Sequence, residues 1–346
     1  MAARSCVLKG RPDRQQLLEV QDHFDLPSPA LVEKDWHVVQ ALAAIGDAAS
    51  DGLTLAFGGG TALGRAYGLL SRMSEDIDLR VVGDHASSRS ALKRLRRQVS
   101  ERLRQRGFVV EADRVTVQHN DTYVRYDLPY DPIVKGEGVL RPEIKIEMAA
   151  FPTRRPLVAK PVASFVAEAT NVDPEIPSIA CVCLAETAAE KFVALTRRSG
   201  ATFAGLGALD PTLARHVYDL SRLDGHYDAE DAARLALETM QDDAATRGGE
   251  FPAYQADPLG ETLRAVAIMA GNPEFAAAYS RLLDDMVYGV KPEFGEAIEA
   301  VQSFAKRLIE PIRSPIYDLD RLLDRMTPDS FHDDEDFGPP IGGEAR

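Results

Sequence analysis

The sequence predicts a mixed α/β domain over residues 1–170 and a mainly α-helical domain over residues 171–326. Short apolar runs with strand alternation are interspersed with helical patterns in the first part of the chain. From Leu184 onward the apolar residues recur only with helical periodicity. A polar, proline-containing stretch at residues 168–178 separates the two patterns. Such a change from mixed to helical elements is typical of two successive domains.

In the first domain, the Pro27-Ser28-Pro29 turn predicts the start of a helix over residues 31–44. An apolar run at residues 53–57 has strand character and ends abruptly at Gly58-Gly59-Gly60. Residues 90–106 predict an amphipathic helix with one apolar stripe. The other predicted elements are a helix at 61–70 and strands at 75–82, 109–117, 122–128 and 144–149.

The second domain is predicted from helical periodicity alone. Its predicted helices cover residues 184–198, 211–223, 229–242, 258–269, 274–286 and 293–309. The last segment, residues 327–346, is acidic and rich in proline and glycine, and this composition predicts disorder.

The net charge of −14 argues against a general nucleic-acid binder, which needs a basic surface, but does not exclude RNA as a substrate. Recognition of a DNA sequence is not expected. No stretch approaches the roughly 20 apolar residues that span a bilayer. The basic segment at residues 1–14 is followed by no apolar region of the kind found in secretory signals. We therefore expect a cytoplasmic protein.

Basic residues are concentrated at positions 89–106, a segment that contains eight of them and only one acidic residue, Glu101. One interpretation is the solvated face of an amphipathic helix. The alternative is a local track that contacts an RNA backbone despite the acidic total charge.

The segment from Phe57 to Arg80 carries the chemistry that the sequence predicts. A glycine turn after a strand lets the backbone approach a ligand, and the helix that follows offers free N–H groups to phosphate. Alternation over residues 75–82 then places Asp76 and Asp78 on one face of a strand. Two adjacent carboxylates repel each other unless cations lie between them, and Mg²⁺ prefers carboxylate and phosphate oxygens. The ordered combination indicates a site for phosphate and metal. The alternative is two solvated aspartates paired with Arg72 and Arg80.

Four motifs in order resemble those of the AbiEii/AbiGii (MenT-like) toxin family, within the DNA-polymerase-β-like nucleotidyltransferase superfamily. The first is LVEKDW at residues 31–36, and the second is GGTAL followed by R-x-SEDIDL at residues 59–79. The others are AETAAEK at residues 185–191 and RHVYDL at residues 215–220. The resemblance implies an α/β (α+β) nucleotidyltransferase domain with a short mixed sheet, completed by the helical domain across a cleft.

The resemblance also implies the roles of individual residues. Asp76 and Asp78 are the expected catalytic metal ligands for Mg²⁺ or Mn²⁺. The superfamily usually adds a third carboxylate on a neighbouring strand, for which Glu147 is the candidate and Glu143 a competitor. The expected nucleotide-binding residues are Gly59, Gly60, Thr61, Arg72, Ser74 and Lys191. Two roles remain open for the Ser74 hydroxyl. It could hydrogen-bond a phosphate oxygen of the nucleotide, or it could cap the turn before the strand.

Lys191 and Asp219 are the expected catalytic residues of the helical domain. By spacing alone, Lys191 shares a stripe with apolar residues and extends its ammonium to solvent. Asp219 lies at helical spacing from Arg215 and Arg222, which predicts an ordinary salt bridge. The family resemblance instead implies that Lys191 reaches the triphosphate and that Asp219 has an active-site role, facing Lys191 from the second domain.

Taken together, these residues predict a metal-dependent transfer of a nucleoside monophosphate from a nucleoside triphosphate to a hydroxyl. The family resemblance implies a tRNA 3′ end as the acceptor, a toxin role and a separate antitoxin partner. A protein or small-molecule acceptor is the main alternative. A nucleotide-binding regulatory module without turnover is a second alternative.

Overall fold

Seven strands of the described chain form one mixed sheet with the order β3-β4-β5-β2-β1-β7-β6. The computed structural model describes residues 8, 10–46, 48, 52–86, 88–134 and 140–313. The predicted tail and the last residues of the predicted second domain lie outside this part. The strands are β1 Thr54–Gly58, β2 Asp76–Val82, β3 Val115–Gln118, β4 Tyr123–Pro129, β5 Glu143–Ala149, β6 Val158–Val162 and β7 Ile176–Cys181.

Parallel and antiparallel pairs are both present, which confirms the predicted mixed sheet. Strand β2 pairs antiparallel with β1 and parallel with β5, while β1 pairs parallel with β7. Strand β7 lies beyond residue 170, so the sheet continues past the predicted domain boundary to Cys181. The division into domains stays a prediction.

Two predicted elements were too long. The predicted strand at 109–117 is reduced to β3, because the apolar residues at 108–110 pack into the core instead of pairing with a strand. The predicted helix at 61–70 ends at Arg65. Gly68, with φ of 67°, turns the chain away soon afterwards.

Twelve α-helices are found in the described residues. They are α1 Arg14–Phe24, α2 Pro29–Ile45, α3 Gly59–Arg65, α4 Arg89–Arg106, α5 Phe165–Thr170, α6 Leu184–Phe203, α7 Ala214–Leu223, α8 Ala229–Arg247, α9 Pro252–Ala256, α10 Pro258–Ala270, α11 Pro273–Met286 and α12 Phe294–Arg313. None of these helices is long and apolar enough to cross a membrane.

Two large apolar clusters account for most of the buried side chains. One joins the apolar face of the sheet to α2 and α4, and it contains Ile77, Leu79 and Ile146. The other joins α6 to the helices that follow it, with Phe192 and Tyr218 at its centre. The basic helix α4 therefore covers the sheet face opposite to Asp76 and Asp78, and its arginines point away from those carboxylates.

Consecutive charged residues on α2 hold three loops of the first part. Buried Glu33 accepts hydrogen bonds from the backbone N–H groups at positions 133 and 134, at 2.8 and 3.1 Å. Lys34 donates to the carbonyl of Arg141 at 2.8 Å and pairs with Glu75 at 2.9 Å. Asp35 accepts from the first N–H of α5 at 2.8 Å. The EKD motif is therefore structural, and none of its residues lies beside Asp78.

The chain segment before β2 is joined to the helical part by backbone pairing. Arg72 forms an isolated antiparallel bridge with Val287, just after α11. The N–H of Met73 donates to the carbonyl of Met286 at 2.8 Å, and that of Tyr288 donates to the carbonyl of Ser71 at 3.0 Å. The loop that leads into β2 is thus held by backbone hydrogen bonds to the segment that follows α11.

His37 is fully buried on α2, where its ring stacks on Tyr130 with centroids 4.2 Å apart. Neither ring nitrogen has a hydrogen-bond partner among the described residues. Burial, with smaller contributions from Arg11 and Lys34, lowers the pKa of His37 from 6.5 to about 3. The imidazole is therefore neutral in the folded protein.

We expect His37→Phe to weaken the acid sensitivity of folding. A base whose folded pKa is depressed contributes stability that is present above its unfolded pKa and is lost as the pH falls below it. Between pH 7 and pH 5, the parent should lose on the order of 2 kcal/mol more of its free energy of unfolding than the variant. Urea unfolding at the two pH values measures this difference. His23→Phe, at an exposed histidine, is the control, and equal losses in parent and His37→Phe would contradict the interpretation.

Candidate active site

A cleft of about 310 Å³ lies between the polar face of the sheet and helices α6 and α7. Strands β2, β4 and β5 supply one wall, and the two helices supply the other. The lining residues are Gly58, Gly59, Asp78, Leu79, Arg80, Tyr123, Glu147, Ala149, Val182, Thr187, Glu190, Lys191, Ala194 and His216.

The register of β2 and β5 brings the predicted carboxylates together. Because these strands are parallel, Asp78 lies opposite Glu147 and Asp76 lies opposite Lys145. Alternation along each strand then directs all four side chains to the polar face, while Ile77, Leu79 and Ile146 are buried on the opposite face. The Lys145 ammonium lies 3.1 Å from Asp76 and 3.0 Å from Glu147.

Asp78 is a carboxylate in an unfavourable environment for its charge. Burial raises its pKa to about 6, and the neighbouring carboxylates of Asp76 and Glu147 add to the rise. The ammonium groups of Lys191 and Lys145 oppose it only in part. A carboxylate in this environment favours the binding of a cation, because the cation offsets the repulsion between neighbouring carboxylates.

Gly59 gives the backbone the shape that lets Asp78 enter the cleft. Its φ of +71° is in the left-handed region, which favours glycine. A β-carbon at this position would lie 1.9 Å from the Oδ2 atom of Asp78. The glycine is therefore required both by the backbone conformation and by the carboxylate packed against it.

Lys191 reaches the cleft from α6 and is fixed from behind by Asp219 of α7. The two side chains are 2.8 Å apart, and Asp219 is completely buried. Arg72 approaches the same carboxylate with two hydrogen bonds of 2.6 and 2.7 Å. Burial alone would raise the pKa of Asp219, but the two cations hold it well below its usual range.

With this geometry established, the comparisons with known proteins identify the family. The sequence profile described as "Nucleotidyl transferase AbiEii toxin, Type IV TA system" matches residues 40–306. The chain belongs to the AbiEii nucleotidyltransferase toxin family. The family places this toxin in a type IV toxin–antitoxin system, with a nucleoside triphosphate as substrate and an antitoxin as partner. Comparison with curated protein sequences gives no match.

Among solved structures, the AbiEii-family chain is similar to MenT4, a nucleotidyltransferase toxin from Mycobacterium tuberculosis H37Rv. The two share 17% sequence identity with a TM-score of 0.50, over 84% of this chain and 98% of MenT4. At this level of identity, the similarity supports the fold. The predicted fold class and family are thus confirmed.

Several predicted nucleotide-binding residues lie outside the cleft of this AbiEii-family toxin. A small separate cavity is lined by Gly60, Thr61, Arg72 and Ser74. The Thr61 hydroxyl is 3.0 Å from that of Ser74, so these residues fasten α3 to the loop before β2. Their direct contact with nucleotide stays a prediction.

The remaining candidates have separate partners. Arg80 pairs with Glu186 at 2.8 Å and also with Glu190, so it does not neutralise the two aspartates. The Glu143 carboxylate lies 3.7 Å from Arg114 and is absent from the cleft lining, whereas Glu147 is part of it. The geometry therefore favours Glu147 as the third carboxylate.

The sequence reasoning missed Tyr123 and His216 of the cleft lining and Lys145, which pairs with Glu147 of that lining. Lys145 shares its face with Glu147, and that alternation could have identified it. His216 is present in the RHVYDL motif, and burial followed by the charge of Lys191 lowers its pKa to about 3. Tyr123 lies at the start of a predicted strand, and the register of β4 and β5 places it on the same face as Glu147, one alternation step away.

The donor set fits a divalent cation in chemistry, since Asp76, Asp78 and Glu147 offer carboxylate oxygens on one face. In their present arrangement, no three acidic, histidine or cysteine side chains in the described part of the chain are grouped closely enough to hold a metal ion. Lys145 lies between two of the three carboxylates.

We expect Gly59→Ala to abolish nucleotide transfer and to lower the free energy of unfolding by about 1–3 kcal/mol. The added methyl group imposes backbone strain and displaces the Asp78 carboxylate. Urea unfolding and incorporation of labelled nucleotide measure the two effects.

Gly205→Ala is the matched control for this prediction. Its φ of +79° carries the same strain, but no atom lies within 4 Å of an added β-carbon. This control should lose stability and keep its activity. An active Gly59→Ala protein would show that the position of Asp78 is not critical.

Proposed function

We propose that this AbiEii-family toxin transfers a nucleoside monophosphate from a nucleoside triphosphate to the 3′-terminal hydroxyl of a tRNA. The reaction requires Mg²⁺ or Mn²⁺ and takes place in the cytoplasm. The observation that supports the proposal is the crowding of Asp78 with Asp76 and Glu147 on the sheet, where Asp78 and Glu147 line the cleft together with Lys191.

The acceptor oxygen bonds to the α-phosphorus and its proton passes to solvent. The bond from the α-phosphorus to the oxygen that bridges it to the β-phosphorus breaks, and pyrophosphate leaves with that oxygen. A divalent ion held by the three carboxylates would neutralise the negative charge of the phosphates when bound. Lys191 stabilises charge on the departing pyrophosphate, while Asp219 keeps its ammonium in place. Gly59 leaves room for the Asp78 carboxylate at the edge of the cleft. Most of the rate enhancement then comes from positioning and charge stabilisation, as in other phosphoryl transfers.

A tRNA end suits the shape and charge of the molecule. The net charge of −14 disfavours broad contact with a polyanion. The basic helix α4 covers the opposite face of the sheet, and two of its arginines, Arg89 and Arg96, already pair with Asp121. Only a narrow single-stranded end therefore needs to enter the cleft. The tRNA acceptor itself rests on the family resemblance.

The test is incubation of the protein with total RNA, Mg²⁺ and each α-labelled nucleoside triphosphate in turn. We expect label on the 3′ end of tRNA with release of pyrophosphate. Asp78→Asn should abolish labelling and keep or raise thermal stability without metal, because it removes one of three repelling charges. Label on protein or on a small molecule would identify a different acceptor. Full labelling by Asp78→Asn would disprove the assigned site.

We expect Lys191→Met to lose on the order of a hundredfold or more in transfer rate. The substitution keeps the length and packing of the side chain but removes the charge. Because Arg72 still pairs with Asp219, the free energy of unfolding should fall by only about 1.5–3 kcal/mol. Steady-state kinetics and urea unfolding measure the two effects.

Arg198→Met is the control on the same helix, since Arg198 is exposed, is not part of the cleft lining and pairs with Asp210. It should leave transfer unchanged. Lys191→Arg should restore only part of the rate, because a guanidinium differs in shape from an ammonium. Activity of Lys191→Met within a few-fold of the parent would return Lys191 to a purely structural role.

A further inference from the structure

Lys145 lies between two of the three carboxylates assigned to the metal site. Its ammonium bridges Asp76 at 3.1 Å and Glu147 at 3.0 Å, and all three side chains are about one-third exposed, at 29, 33 and 30%. The bridge follows from the parallel register, which places Lys145 beside Asp76 and one alternation step from Glu147. It is therefore built into the sheet.

The neighbouring cations have other partners. Arg80 binds Glu186 and Glu190, Lys191 binds Asp219, and Arg125 binds Asp127. Removal of Lys145 would leave Asp76, Asp78 and Glu147 without the cation that now bridges two of them. A cluster of like charges of this kind is unfavourable until another cation is bound.

We propose that Lys145 is a built-in counter-cation that competes with the divalent ion for the oxygens of Asp76 and Glu147. The proposal rests on the proposed function, because it concerns the same metal site. An ammonium and a divalent ion repel each other and cannot share these oxygens at 3 Å. The ion gains its ligands only when Lys145 swings away.

The triphosphate supplies the reason for Lys145 to move. Its negative charge offers the released ammonium a new partner, so that nucleotide and metal favour each other's binding. Without nucleotide, Lys145 holds the carboxylates and the ion binds weakly. The toxin thus keeps its carboxylates neutralised until a nucleotide arrives together with the metal.

The experiment measures Mn²⁺ binding to the full-length protein by the electron paramagnetic resonance signal of free Mn²⁺. Without nucleotide, Lys145→Met should bind Mn²⁺ roughly three- to tenfold more tightly than the parent, as expected when two partly exposed ion pairs no longer compete. Lys145→Gln, which retains a hydrogen-bond donor but no charge, should also bind more tightly. Lys145→Arg should remain close to the parent.

Two further readouts separate competition from a general structural effect. Lys145→Met should melt at a lower temperature than the parent without metal, and Mn²⁺ should raise its Tm by more. A non-hydrolysable nucleoside triphosphate analogue should increase the Mn²⁺ affinity of the parent by a larger factor than that of the variant. Lys160→Met is the matched control, because the Lys160 ammonium lies over the Tyr67 ring rather than among the carboxylates.

The outcomes distinguish this inference from the function on which it rests. Equal or weaker Mn²⁺ binding by both Lys145→Met and Lys145→Gln, with binding lost in Asp78→Asn, overturns the role of Lys145 and keeps the metal site. Absence of Mn²⁺ binding from parent and variants alike, with or without the analogue, overturns the role of Lys145 and the proposed metal site together.

Discussion

The fully buried carboxylate of Asp219 ties three parts of the chain to one point. Arg72 comes from the loop before β2, Lys191 from α6 and Asp219 from α7. Removing a carboxylate from water is costly unless excellent geometry and hydrogen bonds compensate it. Two hydrogen bonds from the Arg72 guanidinium and an ion pair with the Lys191 ammonium provide that compensation. The position of Lys191 in the cleft, and the distance between the sheet and the helices, both depend on this arrangement.

Much of the candidate site could be predicted from local pattern. Strict alternation over residues 75–82 requires Asp76 and Asp78 to share a face, whatever lies around them. The glycine turn was recognisable because only glycine readily adopts the φ found at Gly59. Lys191, Asp219 and Arg72 all lie in the recognised motifs, but the pairing of Arg72 with Asp219 was not predicted. That contact spans 147 positions of sequence, and no local pattern encodes it.

The elements of the fold likewise fall into those that local sequence patterns predict and those that depend on long-range contacts. Long amphipathic helices such as α4 and α12 are visible from periodicity because each repeats its apolar stripe over several turns. Short strands such as β6 and β7 carry too few residues to show a pattern, and they exist because they pair with each other and with β1. The role of Glu33, Lys34 and Asp35 was hidden for a similar reason. Their partners are backbone groups of distant loops, so the motif was recognisable while its purpose was not.

The backbone bridge between Arg72 and Val287 has a consequence for the timescale of substrate exchange. Rotating the sheet and the helices apart would break the hydrogen bonds on either side of this bridge, and it would also expose the Arg72–Asp219 pair. Collective hinge motions of that kind occur in microseconds to milliseconds, whereas exposed side chains change rotamer in picoseconds to nanoseconds. The two walls of the cleft are therefore joined by backbone pairing and by a buried ion pair, and their separation is expected to be slower than the reorientation of side chains within the cleft.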